Sequence, residues 1–180
     1  YSLLKKTIGI ENGNFFPTAG AAVPDEICEF VHSVGINMLV GYGLTESTAT
    51  VSCFQNSGYE IGSVGTVMPD VEVKIGENNE ILLRGKTITK GYYKKAEATA
   101  EAIDKEGWFH TGDAGYLNGN CLYLTERIKD LFKTSNGKYI SPQALETKLA
   151  IDRYIDQIAI IADQRKFVSA LIVPMYGFVK

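Results

Sequence analysis

Cysteine, proline, tryptophan and histidine are all scarce in this chain, and long apolar runs are missing. The three cysteines, Cys28, Cys53 and Cys121, are odd in number and far apart. None belongs to a Cys-x-x-Cys pair or has a close histidine, so neither a disulfide framework nor a zinc site can be read from them. That usage fits a reducing compartment, and a cytoplasmic location is the expectation. The two histidines, His32 and His110, have no metal-like neighbours in sequence and read as ordinary packing or surface residues. No apolar stretch approaches the roughly 18 residues a membrane-spanning helix needs, and the opening Tyr-Ser-Leu-Leu-Lys-Lys is not a signal peptide. An excess of positive charge is absent as well: 18 Lys and Arg stand against 21 Asp and Glu, a formal net charge of -3, which makes nucleic acid a poor partner. An initiator methionine is also lacking. The chain opens at Tyr1 and stops at Lys180 just after an apolar strand, and so reads as a piece of something longer.

What is present is ordinary for a globular protein: 180 residues, 45% hydrophobic and 22% charged, enough for one domain or one and a fraction. Its texture changes along the chain. The short aromatic run Asn14-Phe15-Phe16-Pro17-Thr18 suits a buried strand. A helix follows, with Pro24 near its start, Asp25 and Glu26 in its first turn, Ile27, Phe30, Val31 and Val34 at amphipathic spacing, and Gly35 at its end. Met38-Leu39-Val40 gives a second buried strand, so strand, helix and strand form a βα unit of a parallel sheet.

From about Gly62 short alternating strands take over. Val71–Ile75 and Glu80–Arg84 flank the polar turn at 76–79 as a hairpin of a small antiparallel sheet or barrel, 96–103 is a short helix, and Cys121–Leu124 is another strand. After the charged cluster at 125–130 a fold restarts, with a strand, the loop 134–138, a helix from Pro142 and strands at 158–161 and 170–173. The expected organisation is therefore mixed α/β and α+β. Residues 1–126 form the later part of a large domain, with a βα layer over 1–60 and a small β subdomain over 61–126, and 127–180 open a small α+β domain.

Three stretches carry residues with chemistry. "GYGLTES", residues 41–47, leaves a strand at its carboxyl end, where open α/β sheets bind ligands. There Gly41 and Gly43 allow unusual backbone angles and close approach, Tyr42 offers a flat face for a ring, Thr45 a hydroxyl for phosphate, and Glu46 a hard oxygen for magnesium. A plain glycine turn with Thr45 capping a helix explains the same residues equally well. "GWFHTGD", residues 107–113, places Asp113 between glycines in a loop, where its carboxylate could accept both hydroxyls of a ribose or simply close an Asx turn. Arg127, Lys129 and Lys133, ahead of a glycine loop ending at Gly137, could meet a phosphate or form surface pairs. A fourth stretch, Arg84-Gly85-Lys86-Thr87, imitates the tail of a phosphate-binding P-loop. The first glycine of that pattern would fall on Glu80, and the tetrapeptide ends a hairpin strand instead of opening a helix, so it is set aside.

The three stretches in this order, ending in "ERIKDLFKTSNGKYISP", resemble the adenylate-forming enzymes, the family of acyl-CoA synthetases, firefly luciferase and peptide-synthetase adenylation domains. "TAGAAVP" stands where that family often has Gly-Gly-Ala-Pro, and "KTSNGK" looks most like the Lys-Thr-Ser-Gly-Gly-Lys of long-chain fatty acyl-CoA synthetases. Asn136 departs from it at a position where Asn tolerates left-handed angles. The resemblance covers essentially the whole chain. It implies that Gly20, Ala21, Ala22 and Gly41 border the adenine with Tyr42 stacked on it, that Thr45 touches the phosphates, and that Glu46 holds Mg²⁺. It further implies that Asp113 grips the ribose, that Arg127 reaches ribose or phosphate, that Lys129 is a hinge, and that Gly137 approaches coenzyme A.

The implied reaction activates a fatty acid with ATP to an acyl adenylate and passes the acyl group to coenzyme A, with long-chain substrates allowing transient contact with a membrane. An adenylating enzyme for aryl or amino acids, or a nucleotide-binding relative without chemistry, are the alternatives. The family's glycine-rich phosphate loop would precede Tyr1 and its adenylation lysine would follow Lys180, so this chain alone is expected not to exchange pyrophosphate into ATP.

Overall fold

The computed structural model describes residues 2–54, 59–133, 139–162 and 165–178. Among these the chain forms α1 (Ser2–Thr7), β1 (Phe16–Thr18), α2 (Asp25–Ser33), β2 (Met38–Tyr42), β3 (Ser52–Cys53), β4 (Thr66–Val67), β5 (Val71–Ile75) and β6 (Glu80–Gly85). It continues with α3 (Ala96–Ala102), β7 (Phe109–Asn118), β8 (Cys121–Arg127), β9 (Phe132–Lys133), β10 (Tyr139–Ile140), α4 (Pro142–Leu149), β11 (Ile155–Ile161) and β12 (Ser169–Pro174). These elements fall into two compact units. One holds residues up to Thr111 together with Gly115–Leu124, and the other holds Gly112–Ala114 and everything from Thr125.

The first unit is built on a mixed sheet in the order β1-β2-β3-β4-β8-β7-β6-β5. β1 and β2 pair in parallel with Phe16 opposite Met38 and Thr18 opposite Val40, and β2 runs two residues beyond the end of β1, to Tyr42. Pro17 cannot donate to a ladder, and β1 accordingly lies at the sheet's edge. The connection between them is α2. Asp25 and Glu26 fill its first turn, favourable at the positive end of the helix dipole, and the chain leaves it through Gly35 at φ +75. The expected parallel βα unit and the β5–β6 hairpin are both present, the hairpin with Val71 opposite Gly85 and Ile75 opposite Ile81. The short strands β3 and β4, antiparallel to their neighbours, join the βα layer and the hairpin into one continuous sheet.

Under this sheet lies a core of Tyr42, Val51, Val71, Ile81, Leu83, Phe109 and Leu122, with Val51, Ile81, Leu83 and Leu122 at 0% exposure. Burying side chains of this size contributes about 1.5–3 kcal/mol each. The Gly107–Gly115 stretch differs from expectation. Instead of forming a loop, residues 109–118 make the ten-residue strand β7, flanked by β6 and β8. Ladder bonds available on both edges outweigh the local turn preference of Gly-Asp, and the residue that keeps a turn-like angle is Gly112 at φ +73.

The second unit contains two hairpins, β9–β10 and β11–β12, both antiparallel, and the helix α4. Ser141 caps α4, its hydroxyl accepting from the Ala144 N–H, and Pro142 stands at the first helical position, where its missing N–H costs nothing. Glu146 on α4 accepts the Ile160 N–H at 2.7 Å and so ties the helix to β11. No described helix is long and apolar enough to cross a membrane.

Candidate functional site

Because β1 and β2 are parallel neighbours, their carboxyl ends and the segments that follow them border the same space. A cavity of about 730 Å³ opens there, walled by Pro17 and Thr18 of β1 and Gly20 after it, by Gly41 and Tyr42 of β2 and Thr45 after it, and by Phe54. Four expected residues, Gly20, Gly41, Tyr42 and Thr45, thus share one cavity. Ala21 and Ala22 are exposed and do not line it. Gly20 takes φ +89 with open space where a Cβ would sit, the geometry of a turn at a strand end. Tyr42 is 7% exposed and belongs to the core, so it meets the cavity from within the wall and not as an open platform.

The glycines of the "GYGLTES" stretch act differently from their expected role. Neither Gly41 nor Gly43 has a positive φ; the left-handed residues are Thr48 at +53 and Ala49 at +83. Gly43 is needed because the loop doubles back on it. A Cβ there would lie 1.3 Å from the Ala49 carbonyl oxygen, an impossible overlap with backbone. The turn is a short 3-10 segment, Thr45–Ser47, and Thr45 does not cap it. Ser47, at 1% exposure, holds the turn closed: its Oγ accepts the Leu44 N–H at 2.9 Å and donates to the Leu44 carbonyl at 3.0 Å. The Thr45 side chain is left exposed at the cavity, with no hydrogen bond to its hydroxyl from any described residue.

Glu46 is fixed at two points by the segment after β6. Its carbonyl accepts the Thr89 N–H at 2.7 Å, and its Oε1 accepts the Tyr92 hydroxyl at 2.8 Å. The same bond, ahead of partial burial, pushes the Tyr92 phenol above its ordinary pKa, since the proton is shared with a carboxylate. Alongside, Thr48 donates to the Thr87 carbonyl at 2.6 Å. Tyr92 was not legible as a site residue, because its partner lies 46 positions away and a Gly-Tyr-Tyr triplet after a hairpin has no chemistry of its own. The discarded Arg-Gly-Lys-Thr stretch ends β6 and leads into this brace, and no phosphate cradle forms there. Arg84 itself forks onto Glu72, Nη2 to Oε2 at 2.6 Å, and lies over the Trp108 ring.

Within the second unit, Asp113 and Arg127 meet: the Arg127 Nε–H donates to Asp113 Oδ1 at 3.1 Å, with the aspartate side chain 12% and the arginine side chain 51% exposed. The carboxylate is buried and held by an arginine, the state in which it accepts hydrogen bonds from hydroxyl groups. Lys129 falls in a 3-10 turn, Ile128–Asp130. The Lys129 side chain and Gly137, together with Asn136, lie outside the described residues.

Of the two histidines, His110 bonds Glu80 through Nδ1 at 2.9 Å, while His32 bonds the Met38 carbonyl and stacks on Tyr59. Both are structural contacts. No cluster of three or more His, Cys, Asp or Glu suited to a metal exists among the described residues. Magnesium does not require one, since it typically takes one or two carboxylates beside substrate phosphates. Glu46, with Oε1 occupied and no described donor on Oε2, fits that donor set.

Comparison with known proteins bears on the same residues. Residues 4–93, half of the chain, match the family model described as AMP-binding enzyme. The long-chain-fatty-acid–CoA ligase FadD15 of Mycobacterium bovis is 33% identical over 156 residues, which cover 86% of this chain and 26% of that protein. The chloroplastic long-chain-fatty-acid–[acyl-carrier-protein] ligase AEE15 of Arabidopsis thaliana is 30% identical over 97% of this chain and 27% of its own. Among solved structures, the O-succinylbenzoate coenzyme A synthetase MenE of Bacillus subtilis, in complex with ATP and magnesium ion, superposes with a TM-score of 0.77 at 25% identity, over 89% of this chain and 36% of that one. The chain therefore spans about a quarter of the length of the curated relatives it matches. A family match over half the sequence, together with three ordered motifs and a cavity at the carboxyl ends of parallel strands, places this chain in the AMP-binding, adenylate-forming enzyme family.

Proposed function

We propose that the protein is an AMP-forming acid–thiol ligase that activates long-chain fatty acids with ATP and transfers the acyl group to coenzyme A. The observation that carries this reading is the cavity at the carboxyl ends of the parallel strands β1 and β2, which gathers Gly20, Gly41, Tyr42 and Thr45 from two separate motifs. A carboxylate is a poor electrophile, because its charge is delocalised and oxide is a bad leaving group. In the first half-reaction a carboxylate oxygen attacks the α-phosphorus of ATP, the bond to the bridging oxygen breaks, and pyrophosphate leaves. In the second, a thiolate sulfur attacks the acyl carbonyl and AMP leaves with the electron pair of the broken C–O bond.

Little covalent work falls to the protein in phosphoryl-type transfer, so its residues act by positioning and by stabilising charge. Gly20 and Gly41 leave room for the adenine beside Tyr42, and the exposed Thr45 hydroxyl donates to a phosphate oxygen. Glu46 would hold magnesium, which supplies charge neutralisation on the phosphates. Asp113, held by Arg127, is assigned to the ribose hydroxyls. Lys129 is assigned to a hinge between half-reactions and Gly137 to the approach of coenzyme A. The small unit beginning near Thr125 would be the mobile domain, since two half-reactions at one adenylate need different groups around it.

The acid class rests on "KTSNGK" and on the fatty-acid ligases among the relatives. An aryl-acid substrate is the second reading, favoured by the likeness to an O-succinylbenzoate synthetase. The test is acid-dependent exchange of labelled pyrophosphate into ATP by the full-length protein, followed by AMP release with coenzyme A or acyl carrier protein as acceptor. Exchange with long-chain acids and release only with coenzyme A are expected. Exchange confined to aryl or amino acids, or absent with every acid, would overturn the proposal.

A further inference from the structure

We infer that Tyr92 is a positioning residue for Glu46, the end of a relay that runs Thr99–Tyr92–Glu46 and aims one carboxylate oxygen at the cation. The inference rests on the proposed role of Glu46 and extends it to residues outside the family's site set described above.

The relay begins on α3. Thr99 Oγ1 donates to the Lys95 carbonyl at 2.8 Å and accepts the Tyr92 N–H at 2.9 Å, so the hydroxyl is fixed from both sides. Gly91 makes this approach feasible: it sits at φ +136, and a Cβ on it would come within 2.4 Å of Thr99 Cγ2. Thr89 closes the same corner, its Oγ1 donating to the Gly91 carbonyl at 3.1 Å while its N–H holds the Glu46 carbonyl. Tyr92 is thereby anchored through its backbone, and its hydroxyl donates to Glu46 Oε1 at 2.8 Å. Oε2 has no donor among the described residues.

A glutamate side chain loses considerable rotamer freedom when it is ordered. A ligand already ordered before the ion arrives binds it more tightly, because that entropy has been lost in advance. Ligating carboxylates are commonly hydrogen-bonded in turn, and removing such a partner typically costs roughly 10–100-fold in metal affinity or activity. Tyr92 and Thr99 have the geometry of such partners.

The test uses the full-length protein and Mn²⁺ as a paramagnetic stand-in, titrated by electron paramagnetic resonance in the presence of α,β-methylene-ATP. Tyr92→Phe removes a single oxygen from a partly exposed residue. It is expected to weaken Mn²⁺ binding by about tenfold, with Tm and metal-free nucleotide affinity unchanged. Thr99→Val is expected to act in the same direction and less. In turnover assays the Tyr92→Phe loss should shrink as magnesium is raised. If Glu46→Gln weakens Mn²⁺ binding and Tyr92→Phe does not, the relay is wrong and the Glu46 assignment stands. If neither weakens it, both fall. A Tyr92→Phe loss that merely tracks a lower Tm also overturns the positioning role.

Discussion

The two compact units differ in how they spend their apolar residues. The first buries Val51, Ile81, Leu83 and Leu122 completely beneath a mixed sheet. In the second, Ala162 at 0% and Ile160 at 8% are buried, while Phe167 at 68%, Leu171 at 66%, Phe178 at 59% and Ile172 at 49% remain exposed. The contrast follows from topology. In β6 the consecutive residues Ile81, Leu82 and Leu83 are all buried, so both faces of that strand are covered. In the two-stranded β11–β12 sheet, α4 packs against β11, and Leu171, Ile172 and Val173 of β12 stay exposed. Stability should therefore be concentrated in the first unit, with the braced turn around Ser47 above the cavity, and chemistry that needs movement is better placed in the second.

Four substitutions or titrations would break or sharpen this contrast. The largest effect is expected from Leu83→Ala, which removes most of a fully buried side chain from the core of the first unit. It should destabilise by about 2–5 kcal/mol in urea unfolding. A loss under about 1 kcal/mol would mean that the first unit does not carry the stability of the chain. Next comes Ser47→Ala, which leaves the part-buried Leu44 N–H without its acceptor. A cost of about 1–3 kcal/mol is expected, and nucleotide binding measured by calorimetry should weaken with it, because the same turn presents Thr45 and Glu46. Binding that survives the loss of stability unchanged would separate the turn from the site. Leu171→Ala, in the second unit, should change stability by no more than about 0.5 kcal/mol, and a core-sized loss would show that this face is covered in solution.

The smallest effect concerns acid pH. The hydrogen bond from Arg84 holds the Glu72 carboxyl below the usual range, and the Trp108 N–H does the same for Asp104. Carboxyls lowered in the folded state stabilise it above their unfolded pKa values of about 4. That contribution disappears as pH falls through the lower folded values. Carboxyl chemical shifts followed by NMR should show both groups titrating late on the way down, and Arg84→Met should return Glu72 to ordinary behaviour while leaving Asp104 low.

Much of the fold was legible because its signals are local. Pro24 with Asp25 and Glu26 opens α2, Gly35 closes it, and the alternation of Val71–Ile75 and Glu80–Arg84 gives the hairpin, though not its register, which sets Ile75 opposite Ile81. β3 and β4, two residues each, carry no periodicity and escape such reading. They nonetheless turn two expected layers into one sheet. The cavity residues were legible as a motif, but the physical role of each glycine was not. Gly43 answers to an oxygen six residues later, and Asp113 lies in a central strand because β6 and β8 flank it. Tyr92 was invisible because its meaning lies wholly in its partner.

By itself the sequence determined the βα unit, the hairpin after Val71, the helix opened by Pro142, and the family to which the motifs belong. Those properties depend on side-chain chemistry and on backbone preferences within a few residues. Only the tertiary structure decided which glycine is sterically required, which hydroxyl orders Glu46 and which aspartate is paired. Each of those depends on atoms brought together from distant parts of the chain, and separation in sequence carries no information about distance in space until the sheet has formed.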